Sequence, residues 1–376
     1  MNELDDTAAP DTTPAPAHPP ELPLAFRQEL VPHIFKALRS GWSCAVVGLP
    51  GGGLSNLLRF LAEPRVAAHY LGDEAAHSVL LYLDAEDGLA PDELPARLAQ
   101  QTVAAARAAR WPRAEQAALR RLAETAEPAA ALAEMLAFIR GVGRGRVVVV
   151  GDEFDGVLSG WPPAELRRLR RLRDEHKYHL TFVIGVRAEP EALTAGRADD
   201  TGPRKFAELF EAHTFPLRPY SREDAGLALA RKTVGWAPGL TPEQEDQLYR
   251  ASGGHPKLLM AALVSVEGRL HLPWANVERG LSAEPGVVAA CQALWQALDP
   301  AEQAAVWLLA CERRDEIPAA ELERLALRGL AVGGPPFVFA SLFESFLNRL
   351  PAPSAEALPA PPRPSRLRDP GARLYW

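Results

Sequence analysis

The chain has 376 residues, 47% hydrophobic and 24% charged, the balance of a globular protein large enough for two or three domains. Its 41 Lys+Arg against 48 Asp+Glu leave a net charge of −7, which speaks against a surface that is basic throughout and restricts nucleic-acid binding to a local patch. Three cysteines, Cys44, Cys291 and Cys311, share no CxxC spacing, so neither a disulfide framework nor a cysteine-ligated zinc is expected. There is no basic-then-apolar leader and no apolar run near the ~18–20 residues of a membrane span. A cytoplasmic protein without a membrane partner is expected.

Residues 1–23 are rich in Pro, Ala and Thr and acidic, without apolar periodicity, and are expected to be a disordered tail. A helical stretch over about 25–39 leads into a short apolar strand at 43–47. A glycine-rich turn follows, with a helix beginning near Leu54. VLLYLDAE (79–86) is a second buried strand. The Ala/Arg/Leu-rich region 92–141 carries helical periodicity with breaks at Pro112 and Pro128. RVVVV (146–150) and LTFVIGV (180–186) are further continuous β-branched runs, and HTFPL (213–217) a weaker one. Continuous apolar strands alternating with helices predict a parallel sheet covered on both faces. After about 218 the strands stop. Helices are predicted at 221–233 and 241–263, then at 287–297, 300–312 and 318–328, followed by a short hairpin and a last helix to 350. Residues 351–376 repeat the Pro-rich tail with arginines and end in Tyr375-Trp376.

Two features carry chemistry. Gly48-Leu49-Pro50-Gly51-Gly52-Gly53-Leu54-Ser55 fits the phosphate-loop pattern GxxxxGK[ST] at Gly48, Gly53 and Ser55, in the required strand–loop–helix context. Glycines let backbone N–H groups turn toward phosphate, and the helix N-terminus adds partial positive charge. Ser55 stands where a hydroxyl would meet Mg²⁺. The lysine position, however, is Leu54, and none of the chain's five lysines (Lys36, Lys177, Lys205, Lys232, Lys257) is near it in sequence. A ligand-free glycine turn is the competing reading. The second feature is the strand ending in Asp152-Glu153. In phosphate-loop ATPases the first carboxylate orients Mg²⁺ and the second polarises the attacking water. Adjacent carboxylates also call for a nearby cation. Arg187 ends the next strand, and Ser252-Gly253-Gly254-His255-Pro256-Lys257 punctuates the helical section.

In this order the motifs resemble the AAA+/STAND class of phosphate-loop ATPases, within it the origin-recognition-like and archaeal-type ATPases. The resemblance implies an α/β P-loop NTPase core at 24–217, a helical lid at 218–285 and a winged-helix-like domain at 286–350. It makes Asp152 and Glu153 the Walker B pair, with Glu153 catalytic and Asp152 on the metal with Ser55. Arg187 becomes the sensor 1 position, and Gly254-His255-Pro256 the lid turn that contacts nucleotide alongside Gly48, Gly51, Gly52, Gly53, Leu54 and Ser55. The implied cofactors are ATP/ADP and Mg²⁺. Leu54 removes the cation that stabilises charge on the β- and γ-phosphates, so the expected function is a nucleotide-responsive switch or scaffold with weak or lost hydrolysis. A pseudo-ATPase platform that binds no nucleotide and a DNA-associated ATPase are the alternatives. A protein partner and a homo-oligomer are expected. DNA is a candidate partner through the arginine-rich helix 165–177 or the winged helix, whose recognition region sets Arg324 and Arg328 against Glu321 and Glu323.

Overall fold

The computed structural model describes residues 21–353 apart from 86–88, 125–126, 144, 198–200, 269, 271–273 and 275–276. Both tails, except for 21–23 and 351–353, lie outside the described residues. Five strands, β1 (Cys44–Gly48), β2 (Val79–Asp84), β3 (Val147–Asp152), β4 (Leu180–Val186) and β5 (Thr214–Leu217), form one parallel sheet in the order β2-β3-β4-β1-β5. This is the α/β sheet expected of a P-loop NTPase. Every residue of β1, β3, β4 and β5 is buried, whereas β2 at the edge alternates. Successive side chains enter opposite cores: Val46, Val148, Val150 and Val183 join one, Ala45, Val47, Val147 and Val149 the other. Burial on both faces is why these strands read as unbroken apolar runs.

The 25–39 helix is shorter than predicted. Only α1 (Val31–Arg39) is helical, because residues 24–30 form turns in which Arg27 takes the left-handed φ of 55°. After β1, α2 (Leu54–Leu61) buries Leu57, Leu58, Phe60 and Leu61. Region 92–141 splits into helices Glu93–Ala108, Arg113–Ala123 and Pro128–Gly141, broken beside Pro112 and Pro128 as predicted. The arginine-rich helix is α3 (Pro163–Glu175), with Leu166, Leu169 and Arg173 buried. Several of its arginines are held internally. Arg173 donates to the Gly41 carbonyl, Arg170 pairs with Asp174, and Arg168 lies within 3.8 Å of both Glu127 and Glu165.

The predicted 241–263 helix is two. After α4 (Arg222–Lys232), α5 (Pro242–Ser252) stops at Gly253 and Gly254, both left-handed (φ 57° and 74°), and α6 (Pro256–Val266) restarts the chain. A Cβ on Gly254 would stand 2.3 Å from the Tyr220 carbonyl oxygen, so only glycine allows this approach. The last section comprises α7 (Pro285–Gln296), α8 (Pro300–Ala310), α9 (Ala319–Leu327), the antiparallel hairpin of β6 (Ala331–Val332) and β7 (Phe337–Val338), and α10 (Ser341–Leu347). Arg324 and Arg328 do not face outward as a reader of DNA would. Arg324 pairs with Asp299, Glu302 and Glu321, and Arg328 with Glu302, where Glu302 and Glu321 are fully buried. Among the described residues, no helix is long and apolar enough to cross a membrane.

Candidate nucleotide-binding site

The register of the sheet brings the motifs to one edge. Val47 pairs with Val186 and Gly151 with Ile184, so the carboxyl ends of β1, β3 and β4 are level. Ligands of open parallel sheets bind along that edge. From Gly48 the chain turns through Gly51 and Gly53, at φ 73° and 85°, with the Gly52 N–H donating to the Leu49 carbonyl at 2.9 Å. Helix α2 starts at once, leaving its first-turn N–H groups at the loop mouth. The fit to phosphate is good: a glycine cradle, a helix N-terminus and nearby cations.

A cavity of about 890 Å³ opens over this loop. Gly48, Gly51, Gly53, Leu54 and Ser55 line it, and so do Glu153, Arg187 and Pro256. Gly52, Asp152, Gly254 and His255 do not line it. The rest of the wall comes from Leu22, Phe26 and Tyr220, from Arg231 and Lys232 at the end of α4, and from Lys257 and Met260 of α6. Helix α6 touches the loop directly. The Lys257 N–H donates to the Gly51 carbonyl at 3.0 Å, and a Cβ on Gly51 would stand 2.6 Å from Lys257 Cβ. A Cβ on Gly53 would stand 3.3 Å from Pro256 Cγ. Leu54 turns toward the sheet, where Gly185 of β4 leaves it room: a Cβ there would be 3.1 Å from Leu54 Cγ.

The carboxylate pair already has its counter-charge. Glu153, at the left-handed φ of 49°, accepts from the Arg187 guanidinium at 2.6 Å. Asp152 is buried; its Oδ2 accepts the Tyr82 hydroxyl proton at 2.7 Å and its Oδ1 the Glu153 N–H at 3.0 Å. Burial, with Asp152 beside it, raises the Tyr82 pKa above the ordinary tyrosine range. Asp155 accepts the Arg187 N–H at 2.8 Å, and burial raises its pKa. The cation that adjacent carboxylates require is therefore Arg187, and the pair by itself does not demand Mg²⁺. Among the described residues no group of three or more His, Cys, Asp or Glu is placed to hold a metal. Ser55 lines the cavity, whereas Asp152 is buried behind it with both carboxylate oxygens accepting hydrogen bonds and does not line it.

His255 is not a wall residue but a cap. Its Nδ1 accepts the Leu258 N–H at 3.4 Å at the start of α6, and its ring is buried beside Phe339, 6.3 Å between centroids. Burial pushes its pKa down to about 4, against the pull of the Pro50 carbonyl.

The sequence places Lys257 only at the end of a turn and leaves Lys232 and Arg231 unremarked. The scarcity of lysine was the available signal, since two of five line this one cavity.

No family model matches the chain, and no curated protein matches its sequence. Among solved structures it is similar to the ORC2 protein of Aeropyrum pernix in ADPNP–ADP complexes (17% identity, TM-score 0.48, covering 88% of this chain and 95% of that one). It is also similar to the ORC1 protein of Aeropyrum pernix in complex with DNA (17%, 0.44, 88% and 94%). A third is the Walker-type ATPase PABY2304 of Pyrococcus abyssi (14%, 0.49, 86% and 96%). Likeness at this level carries no information on function.

Proposed function

We propose that this protein is an ATP- or ADP-binding regulatory switch or scaffold of the AAA+/STAND type, with an α/β core at 24–217, a lid at 218–285 and a winged-helix-like domain at 286–350. The observation that carries it is the left-handed glycine loop opening into a cavity that Arg59 and Arg187 of the core line together with Arg231, Lys232 and Lys257 of the lid. Backbone amides of the loop hold phosphate. Where a phosphate loop ordinarily keeps its own lysine, this chain draws positive charge from the lid, so charge compensation depends on lid closure. That dependence is what a switch needs: nucleotide and closed lid stabilise each other. Glu153, paired with Arg187, is not free to polarise water, and Leu54 offers no charge to the γ-phosphate. Turnover near background is expected with or without Mg²⁺. Titration of the purified protein with a fluorescent ADP analogue tests the reading. Saturable binding displaced by unlabelled ADP and ATP is expected; no binding by folded protein would replace the switch with a nucleotide-free interaction platform. Steady-state ATP hydrolysis that disappears in Glu153→Gln would replace it with a working ATPase.

The alternative, a DNA-associated ATPase, makes a different prediction. Arg168, Arg170 and Arg173 are engaged with acids or carbonyls, and Arg324 and Arg328 with buried carboxylates. Duplex DNA is accordingly expected to bind weakly, with affinity collapsing between ~50 and ~200 mM salt and lost when Arg167, Arg168 and Arg171 become Ala. Sequence-selective binding that survives salt, measured by anisotropy on duplexes, would favour the DNA-associated reading.

A further inference from the structure

Outside the cavity wall lies a fully buried arginine that the proposed function does not use. Arg27 sits in the turn before α1, and its backbone takes the left-handed conformation that L-residues adopt only at a cost. Its guanidinium reaches two segments distant in sequence, and its backbone N–H reaches a third residue, Asp224. Nη2 donates to the carbonyl of Gly52 in the phosphate loop at 3.1 Å. Nη1 donates to the carbonyls of Arg218 and Pro219, at 2.6 and 3.0 Å, where the last strand gives way to the lid. The plane lies over the Tyr220 ring at 4.4 Å, and the Arg27 N–H donates to the Asp224 carboxylate in the first turn of α4 at 3.2 Å. Glu29, 3.6 Å from Nη1, is its ion-pair partner at the surface side.

This set of contacts does not look like simple core packing. A guanidinium is a rigid fork of donors, and a buried one is costly unless its geometry is satisfied. Here the acceptors are carbonyls from segments distant in sequence, and one belongs to the glycine loop that lines the cavity. In a peptide unit the carbonyl and N–H point oppositely. Fixing the Gly52 carbonyl outward therefore fixes the Gly53 N–H inward.

We infer that Arg27 is a positioning residue that locks the phosphate loop in its phosphate-accepting form and ties that form to the core–lid junction. When the junction carbonyls of 218–219 move, the fork loses its anchorage and the Gly52 carbonyl loses its donor. Loop geometry and lid position thus change together. The inference rests on reading the loop as a phosphate site, but its test needs no nucleotide, so the two fail separately.

The experiment is hydrogen exchange of the nucleotide-free full chain, wild type against Arg27→Lys and Arg27→Met, with ADP affinity as a second readout. Exchange in segments 50–56, 218–225 and 255–258 is expected to accelerate by about tenfold to a hundredfold, the range set by losing one charge-assisted hydrogen bond. Strands β3 and β4 should keep wild-type protection. Arg27→Lys should be intermediate, because an ammonium lacks the planar fork that meets loop and junction at once. If the loop binds nucleotide, ADP affinity falls in the same order. Unchanged exchange in the loop, uniform acceleration that includes β3 and β4, or loss of fold in both variants would each overturn the inference in favour of a packing role. Faster loop exchange in variants of a wild type that binds no ADP would keep the clamp and sink only the nucleotide reading.

Discussion

Wild-type stability is expected to fall by about 3 kcal/mol more than that of His255→Asn between pH 7 and pH 4. Burial holds the His255 imidazole at about 4, against an ordinary value of 6.5. The sign follows from where the proton goes. Between those two values the unfolded chain takes up a proton that the folded chain refuses, so stability is fully present above about 6.5 and drains away as pH falls toward 4. Below the folded value both states are protonated and the loss stops growing. Carboxyls such as Asp155 and Asp224, whose pKa burial raises, act in the opposite direction, which is why the comparison with a variant is needed. Asn is the useful replacement because its side chain still accepts the Leu258 N–H as a helix cap, yet does not titrate. Urea unfolding at a series of pH values reads the difference. A gap between the two proteins that is the same at pH 7 and pH 4 would show that the His255 imidazole keeps its ordinary pKa in the fold, and a gap that moves the other way would show that it is protonated there. The consequence is local as well as global. His255 stands between the glycine pair that ends α5 and Phe339 of the C-terminal section, so acid loosens the lid turn where it meets both.

The sequence made the sheet legible because its strands are buried on both faces, which leaves Thr181 and the terminal Asp152 as the polar residues of β1, β3 and β4. The glycine turn between β1 and α2 was legible for a different reason: Gly51 and Gly53 take left-handed angles that other residues resist, between a plain strand and a plain helix. What could not be read was long-range. Leu54 reads as a plain loss, yet it fits a space that Gly185 opens on β4, and Arg231, Lys232 and Lys257 of α4 and α6, far off in sequence, line the same cavity. The sequence reads Asp152 as a metal-orienting carboxylate and Glu153 as a catalytic one. Tyr82 on β2 and Arg187 beyond β4 give them separate partners and separate depths, and neither contact has a local sequence signal. Periodicity joined α5 to α6 because apolar spacing continues across Gly253-Gly254. The left-handed pair, forced by contact with Tyr220, breaks the backbone without breaking the pattern. The arginines of α3 read as a candidate DNA surface, yet Glu127 of another segment reaches Arg168, and the buried Glu302 of α8 holds Arg324 and Arg328.

If the lid supplies the charge that the loop lacks, Lys257→Ala should weaken ATP and ADP binding by about tenfold to a hundredfold, the scale of one hydrogen bond to a charged group. Its backbone N–H still meets the Gly51 carbonyl in that variant, so lid docking survives and the loss reports the ammonium alone. Leu54→Lys makes the converse change. The new aliphatic stem replaces much of the leucine's contact over Gly185, while the ammonium extends toward the cavity, so the packing cost is small. Tightening of ATP binding by one to two orders of magnitude, ~1.4–2.8 kcal/mol, is expected. The two effects should not add. Additive effects would cancel and leave the double variant near wild type. Because a loop ammonium would already compensate the phosphates, removing Lys257 from the Leu54→Lys protein is expected to cost less than it costs the wild type, so the double variant stays tighter than wild type. Isothermal titration of the four proteins measures this cycle. Strict additivity would mean that Lys257 and residue 54 serve different parts of the ligand, and unchanged affinity in Lys257→Ala with the fold intact would remove the lid from charge compensation. Hydrolysis gives the final discrimination. A lysine at 54 that reaches the β- and γ-phosphates should also raise turnover, since it stabilises charge as the bond breaks, and Glu153→Gln in that background should abolish the gain while leaving binding in place. Turnover that stays at background in Leu54→Lys despite tighter binding would trace the block to the Arg187–Glu153 pair, 2.6 Å apart, rather than to the missing lysine.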